Sequence, residues 1–356
     1  MSLTDVSFLI TDYDFDNITI ATLGSHSALQ ILHGAKLEGF STLLIVEKKR
    51  EWFYDMFSNL IDFKVVVDSW KDICKDRVLS YLRKHNSILI PHGSLIEYVG
   101  LENVEKMRLP IFGLRSLFRI EANQRMKMEF LRNAGIKIPK EYTLDMDINS
   151  PVIIKFPGAK GGKGYFIAKT KEEVIKGIRE AISQGIITSH EDVMIQEYIV
   201  GVTAYYHFFY SPTLRRLEIL GADIRYESNI DGLYRLPPDL RESIRASFTV
   251  VGNIPLVLRE SLLPKIMRYG LNFVKYSQIT LPPGIIGPFC LESVIKDDGE
   301  IVVFEFSGRI VAGTNLYVTG SPYSSFYWNE PMSVGRRIAR EIRLALEKDM
   351  LHKVIT

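Results

Sequence analysis

Two glutamates and an arginine in the last quarter of the chain carry the most explicit chemistry. The runs Phe289-Cys290-Leu291-Glu292-Ser293-Val294 and Ile301-Val302-Val303-Phe304-Glu305-Phe306-Ser307-Gly308-Arg309 are apolar and β-rich, and Lys296-Asp297-Asp298-Gly299-Glu300 joins them. Antiparallel strands across such a turn can bring Glu292 and Glu305 side by side. Each is flanked by Phe, Leu or Val, where an unpaired charge is costly. A bound divalent cation would relieve both the burial and the mutual repulsion, because carboxylate oxygens suit hard Mg²⁺. Arg309 would share the face of Ser307 and Glu305 on an extended chain. An ordinary Glu–Arg ion pair in a sheet is the simpler account of the same residues.

A second constellation begins at the strand Val152-Ile153-Ile154-Lys155-Phe156, which runs into Pro157-Gly158-Ala159-Lys160-Gly161-Gly162-Lys163-Gly164. Glycine in that quantity costs conformational entropy, and cations so close repel unless an anion neutralises them. A strand ending in lysine, then a flexible loop and a second strand, presents N–H and ammonium groups to an oxyanion. No Walker A pattern GxxxxGK[ST] occurs, and a strand follows where that loop needs a helix. A mobile hairpin with solvated lysines remains the other reading. Downstream, Ile195-Gln196-Glu197-Tyr198-Ile199-Val200-Gly201 is a buried strand with a polar exit. Its edge hydrogen bonds and apolar walls would suit an adenine, although many edge strands look alike. Near the N-terminus, Thr22-Leu23-Gly24-Ser25-His26-Ser27 ends a strand and opens a helix, and Ser94 in PHGS sits at a similar exit. Such ends bind anions and lie at the ligand edge of open α/β sheets. Two helix N-caps with a solvent-facing His26 would explain the same residues.

These residues need elements to hold them. ITIATLGSH, STLLIVEK, FKVVVD, SILIPHG and LPIFGL read as strands alternating with helical patterns, which predicts a mostly parallel, Rossmann-like sheet through about residue 115. The stretch RSLFRIEANQRMKMEFLRNAGIKIPK predicts one long amphipathic helix stopped by Gly135 and Pro139. Strand, loop, strand, helix and strand follow up to Glu197. After Gly201, aromatic and β-branched residues predict an antiparallel sheet, with hairpin signals at Asn229-Ile230-Asp231-Gly232 and Asp297-Asp298-Gly299.

In bulk, the 356 residues include 46% apolar and 24% charged side chains, with a net charge of +2, enough for about two or three packed units. No basic run is interleaved with aromatics, which argues against nucleic acid. The uncharged stretch Tyr276–Leu291 contains three prolines and two glycines, which argues against a membrane span there. Acidic residues stand where a signal peptide needs basic ones. The two cysteines, Cys74 and Cys290, lack metal-site spacing; a reducing cytoplasm fits.

Lysine strand, glycine loop, QEYI strand and Glu…E-x-S-x-R, in that order, resemble the ATP-grasp ligases. The resemblance implies an α/β Rossmann-like (pre-ATP-grasp) N-terminal domain followed by an α+β ATP-grasp domain. The divisions would be a substrate-binding domain at 1–115, a linker helix and small ATP-grasp subdomain at 116–200, and a large antiparallel subdomain with the metal site at 201–356. It implies Lys155 and Lys160, with Gly161 and Gly162, on ATP phosphates and Glu197, Tyr198 and Ile199 at the adenine. Glu292 and Glu305 would hold Mg²⁺ or Mn²⁺, and Arg309 would contact the transferring phosphoryl group. The chain departs from the pattern at Ser307, where asparagine is usual, and at Thr203, where a ribose-binding glutamate often stands; Glu227 could substitute. Within the superfamily, ATLGSHSALQILHGAK, IPHGSLIEYVG, RYESNIDGLYRLP, VGNIPLVLRESLLPK, GPFCLES and FEFSGRIVAGTN resemble archaeal formate-dependent synthetases. Those enzymes make 5-formaminoimidazole-4-carboxamide ribonucleotide (FAICAR) from the amine AICAR. That implies ATP, formate and AICAR as substrates, His26, Ser94 and Asn253 at AICAR, and a homo-oligomer. Another carboxylate–amine ligase, or a paralogue that binds nucleotide without turnover, stays open as an alternative.

Overall fold

The computed structural model describes residues 6–156, 164–244 and 246–356, and three sheets organise them. The first is parallel, with strands β1 (Thr19–Leu23), β2 (Ser41–Glu47), β3 (Phe63–Val67) and β4 (Ser87–Leu89) in the order β3-β2-β1-β4. All five residues of β1 are buried, as a continuous apolar run covered on both faces requires. At its carboxyl end Gly24 passes close to the Tyr54 ring; a Cβ there would lie 2.9 Å from the ring. His26 then takes a left-handed turn (φ 54°) into the helix Ala28–Leu37.

The second sheet contains β5 (Glu141–Tyr142), β6 (Val152–Lys155), β7 (Tyr165–Ala168) and β8 (Met194–Glu197), ordered β5-β8-β6-β7. Strand alternation sends Val152, Ile154 and Ile195 into a core with Val174 and Ile178 of the helix Lys171–Ser183. Lys155 therefore leaves from the opposite face.

The third sheet is antiparallel: β9 (Val202–Ser211), β10 (Arg216–Asn229), β11 (Phe248–Pro255), β12 (Gly287–Ile295) and β13 (Ile301–Ser307), ordered β11-β10-β9-β12-β13. One face packs Phe208, Phe289 and Phe306 against Phe273 of the helix Leu263–Thr280, with ring centres 4.8 Å apart for Phe273 and Phe289. The other face is polar. Its register aligns Glu305 with Glu292, Glu292 with Tyr205, and Tyr205 with Asp223, one transverse row across four strands.

Three sequence expectations change. The long helix after residue 115 is two helices, Leu117–Glu121 and Gln124–Asn133, because extended Asn123 caps the second by accepting the Met126 N–H. LPIFGL makes only single bridges, to Leu89 and Ile355; Pro110 has no N–H to donate, and the neighbouring amides bond the C-terminal residues Val354 and Thr356. At 229–232 there is no tight hairpin: the short helices Ile230–Leu233 and Pro238–Arg241 intervene before β11, and proline at a helix start favours that outcome.

The C-terminal helix Val334–Glu347 returns to the first sheet. Gly34 and Gly335 let it cross the helix Ala28–Leu37 at backbone contact; a Cβ on Gly34 would lie 2.2 Å from the Arg336 nitrogen. Arg336 and Arg340 both grip Glu38 at 2.6 Å. On its other face Arg337 is wholly buried between Glu218 (3.1 Å) and Glu341 (2.9 Å), its guanidinium 4.2 Å from the centre of the Phe209 ring. Ser211 and Trp328 donate to the same oxygens of Glu341 and Glu218 that Arg337 bonds, and the Thr213 N–H donates to the other oxygen of Glu341. Removing one member of such a group strands buried charge, so Arg337→Ala should lower unfolding free energy by about 3–5 kcal/mol, read from the denaturant midpoint.

Candidate active site

Glu292 and Glu305 are directly opposed on β12 and β13, because a β-bulge at Glu292 and Ser293 shifts the register set by the turn by one residue. Each has a cation of its own. Arg225 on β10 reaches Glu292 Oε1 at 2.9 Å while its guanidinium lies over the Tyr205 ring at 3.9 Å. Ser307 Oγ donates to the same oxygen at 3.3 Å. Lys127, buried on the helix Gln124–Asn133, pairs with Glu305. Lys155 comes across from β6, its ammonium 5.5 Å from the Phe304 ring centre. Burial pushes its pKa down while Glu305 and Glu292 push it up, and Lys127 opposes them. The lysine of the second sheet and the carboxylates of the third thus meet in one cleft. Burial disfavours the charge on Glu305, but Lys127 and Lys155 override it and hold the carboxyl at about 2. Glu292 goes the other way: burial raises it, and Arg225 only partly offsets that.

On the far side of the cleft stand the carboxyl ends of β1 and β4. Neither Ser27 nor Ser94 caps a helix with its side chain. Instead Ser94 Oγ donates to Ser25 Oγ at 3.0 Å, and Arg50 reaches Ser25 at 3.4 Å. His26 lies flat against His92 with ring centres 5.2 Å apart. His92 Nε2–H donates to the Leu23 carbonyl, which leaves Nδ1 to accept from the Ser94 amide. Burial holds His92 at about 4. His26 is open to the cleft, yet the protein around it, then His92, Arg309 and Arg225, keeps it well below the usual imidazole value. Both imidazoles are neutral at neutral pH.

Arg309 lies just past the end of β13 and pairs with Glu121 at 3.0 Å. A Cβ on Gly93 would sit 3.2 Å from His26 Nε2 and 3.4 Å from Arg309 Nη2, so the missing side chain lets those two groups approach. The buried Arg309 Nε has no hydrogen-bond partner among the described residues. Asn253 on β11 is paired in register with Arg225 and donates to Asp223 at 2.6 Å.

At the other end of the cleft, the backbone N–H groups of Glu197 and Tyr198 donate to the carbonyls of Lys140 and Pro151. Register pairs Glu197 with Val152 and Gln196 with Ile153, so the Gln196 side chain, not that of Glu197, shares the face of Lys155. Gln196 is fully buried, and neither amide atom bonds another of the described residues. Ile199 is half-buried beyond the strand end. Tyr198 and Tyr165 lie in the field of Glu227, and Tyr165 packs on Phe248 with ring centres 5.0 Å apart. Burial lifts Glu227 to about 7, Arg225 opposing and Asp231 adding to the rise. Lys160, Gly161 and Gly162 lie outside the described residues.

Sequence reading missed Lys127, Arg225, Gln196 and Asp223. Lys127 reads as a solvated lysine on an amphipathic helix and gave no signal. Asp223-x-Arg225-x-Glu227 did give one: three charges at spacing two in a β-rich segment place them on one strand face.

A depressed carboxylate contributes stability that is full above its unfolded value, here 4.5, and disappears as pH falls toward about 2. The melting temperature should therefore fall more steeply between about pH 5 and pH 3 in the native protein than in Glu305→Gln, as measured by calorimetry.

Family models match residues 173–356 (Domain of unknown function, DUF1297), 20–142 (Protein of unknown function, DUF1246) and 120–205 (Carbamoyl-phosphate synthase L chain, ATP binding domain). The chain is 56% identical over 355 residues to a 5-formaminoimidazole-4-carboxamide-1-(beta)-D-ribofuranosyl 5'-monophosphate synthetase of Ignicoccus hospitalis, covering 100% of both. To the synthetase of the same name from Methanocaldococcus jannaschii it is 46% identical, again over 100% of each chain. Among solved structures it resembles an IMP biosynthesis protein PurP from Thermococcus kodakaraensis, with TM-score 0.76, 35% identity and coverage of 95% of this chain and 100% of that one. An ADP complex of N5-carboxyaminoimidazole ribonucleotide synthetase shares the fold at 13% identity, with TM-score 0.62 and coverage of 93% and 77%. The fold is the mixed α/β architecture of ATP-grasp proteins. Full-length identity at this level means that the chain belongs to the 5-formaminoimidazole-4-carboxamide ribonucleotide synthetase family.

Proposed function

We propose that the protein formylates AICAR to FAICAR with ATP and formate, as a step of purine nucleotide synthesis. The observation that carries this is the convergence of charge: Lys155 of the second sheet lies in the field of Glu292 and Glu305 of the third, Arg225 bonds Glu292 and lies in the field of His26, and Arg309 and His26 flank Gly93. A triphosphate lying along the lysine and the carboxylates would direct its terminal phosphoryl group toward Arg309 and the ends of β1 and β4. We assign 1–115 as a Rossmann-like, pre-ATP-grasp substrate domain, 116–200 as linker and small ATP-grasp subdomain, and 201–356 as the large subdomain.

The chemistry needs an activated acid, because formate lacks a good leaving group and the AICAR amine is delocalised into its ring and carboxamide. A formate oxygen attacks the γ-phosphorus, the bond to the ADP oxygen breaks, and formyl phosphate results. The amine then attacks the formyl carbon, phosphate leaves, and the amine loses a proton. Protein catalysis of such transfers is mainly positioning and charge neutralisation. Lys155 and Lys160, with Gly161 and Gly162, hold the phosphates, and Arg309 opposes charge on the group in transit. Glu197, Tyr198 and Ile199 border the adenine, with Glu227 at the ribose. His26, Ser94 and Asn253 contact AICAR; a neutral His26 can do so beside Arg309 without adding a second positive charge.

Glu292 and Glu305 fit a divalent ion. Two adjacent carboxylates and the Ser307 hydroxyl are hard oxygen donors, and Arg225 and Lys127 show that the pair demands positive charge. Two carboxylates are the number of protein ligands that Mg²⁺ takes when substrate phosphates supply the rest. When bound, Mg²⁺ or Mn²⁺ supplies neutralisation of phosphate charge.

Mass spectrometry of a reaction with AICAR, ¹³C-formate and Mg-ATP should yield labelled FAICAR with ADP and phosphate. ADP release that persists without formate would reject the assignment. Arg309→Ala should lower kcat by about 10²-fold or more with the KM for ATP within about threefold; equal losses in both would reject its role.

A further inference from the structure

Asp223 has no part in the chemistry above, yet it is among the most enclosed charges in the protein, with 1% of its surface exposed. Its Oδ2 accepts the Asn253 amide N–H at 2.6 Å, and its Oδ1 lies 2.8 Å from His207 Nε2, itself on a residue 2% exposed. Gly313 closes the remaining side: a Cβ there would lie 2.3 Å from Oδ1, so glycine alone permits that loop to lie against the carboxylate. The same loop, Ala312–Tyr317, ties to the substrate side through Asn315, which donates to the His26 carbonyl at 3.2 Å. Asp223 is held on three sides and cannot swing away.

An ionised carboxylate only accepts hydrogen bonds. The Asn253 amide must therefore turn its nitrogen toward Asp223, which leaves Oδ1 as the end turned the other way. Register with Arg225 puts Asn253 on the polar face shared with Asp223, Tyr205 and Glu292.

We propose that Asp223 is a positioning residue that sets the polarity of Asn253, so that Asn253 meets the substrate as a hydrogen-bond acceptor. This rests on the reading of Asn253 as a contact to AICAR. An acceptor at that point recognises an N–H group, the amine or the carboxamide of the base, and not the phosphate, whose oxygens would repel it. The pair Asp223–Asn253 then selects the nucleobase end of the nucleotide and leaves the phosphate to other groups.

A reciprocal exchange tests the idea. Asp223→Asn lets two amides pair in either sense, and Asn253→Asp sets two carboxylates against each other. Each single variant should weaken AICAR binding about 10- to 100-fold by calorimetry and raise the KM for AICAR in parallel, with the KM for ATP within about threefold. The double variant Asp223→Asn/Asn253→Asp restores one donor and one acceptor between the positions and keeps an oxygen facing the substrate. It should return AICAR affinity to within about threefold of the native protein. A double variant that melts like the native protein but binds AICAR no better than the singles overturns the proposal, because Asn253 must then donate. An Asp223→Asn variant with native affinity overturns it as well. If the native protein binds AICAR but releases no ADP with formate, the proposed reaction fails while the exchange is still decided by affinity. No AICAR binding by the native protein overturns both.

Discussion

The site is organised by the repulsion between two carboxylates on adjacent strands. Glu292 and Glu305 are opposed across β12 and β13, partly removed from water, and could not both ionise there alone. Three cations answer them, and each arrives from a different element: Lys127 from the helix Gln124–Asn133, Arg225 from β10 and Lys155 from β6. Two of these elements belong to the third sheet or the helix packed on it; β6 belongs to another sheet. The same charge demand that suits a metal-bound triphosphate thus draws the sheets toward one cleft. It also divides the carboxylates, one strongly ionised and one raised by burial.

A second constraint closes the cleft from the N-terminal side. The C-terminal helix crosses the helix Ala28–Leu37 at glycine contact and clamps Glu38 with two arginines. Its opposite face anchors in the third sheet through the buried Arg337 group. One helix therefore fixes how the carboxyl ends of β1 and β4 face the polar row of the third sheet. Arg309 and His26 meet as a consequence, and their approach needs Gly93. Positive charge gathers there without counting the histidines, because burial and nearby cations keep both imidazoles neutral.

Within the sequence, short-range chemistry was legible. The turn Asp297-Asp298-Gly299 specifies the pairing of β12 with β13, but its register alone would set Glu292 opposite Phe304; the β-bulge at Glu292 and Ser293 is what brings Glu292 opposite Glu305. Period-two alternation assigns Lys155 to the face opposite Ile154, and unbroken apolar runs identify a buried parallel sheet. The segment Gly24-Ser25-His26-Ser27 after β1 marks where a strand ends and a helix opens. The same logic failed where one residue overrode a pattern: Asn123 capped a helix within a continuous amphipathic stretch, and Pro110 denied LPIFGL a ladder.

What only the tertiary structure decided is which distant charges meet. Lys127 and Glu305 are separated by 178 positions, and nothing in the periodicity around Lys127 distinguishes it from a solvated lysine. Arg309 was expected on the strand face of Glu305; because β13 ends at Ser307, it instead pairs with Glu121 and approaches His26. Hydrogen bonds within a turn or strand follow from local backbone geometry, which the residue types encode directly. Ion pairs between sheets depend on how whole faces pack, and that is set by the summed burial of many side chains, none of which names its partner.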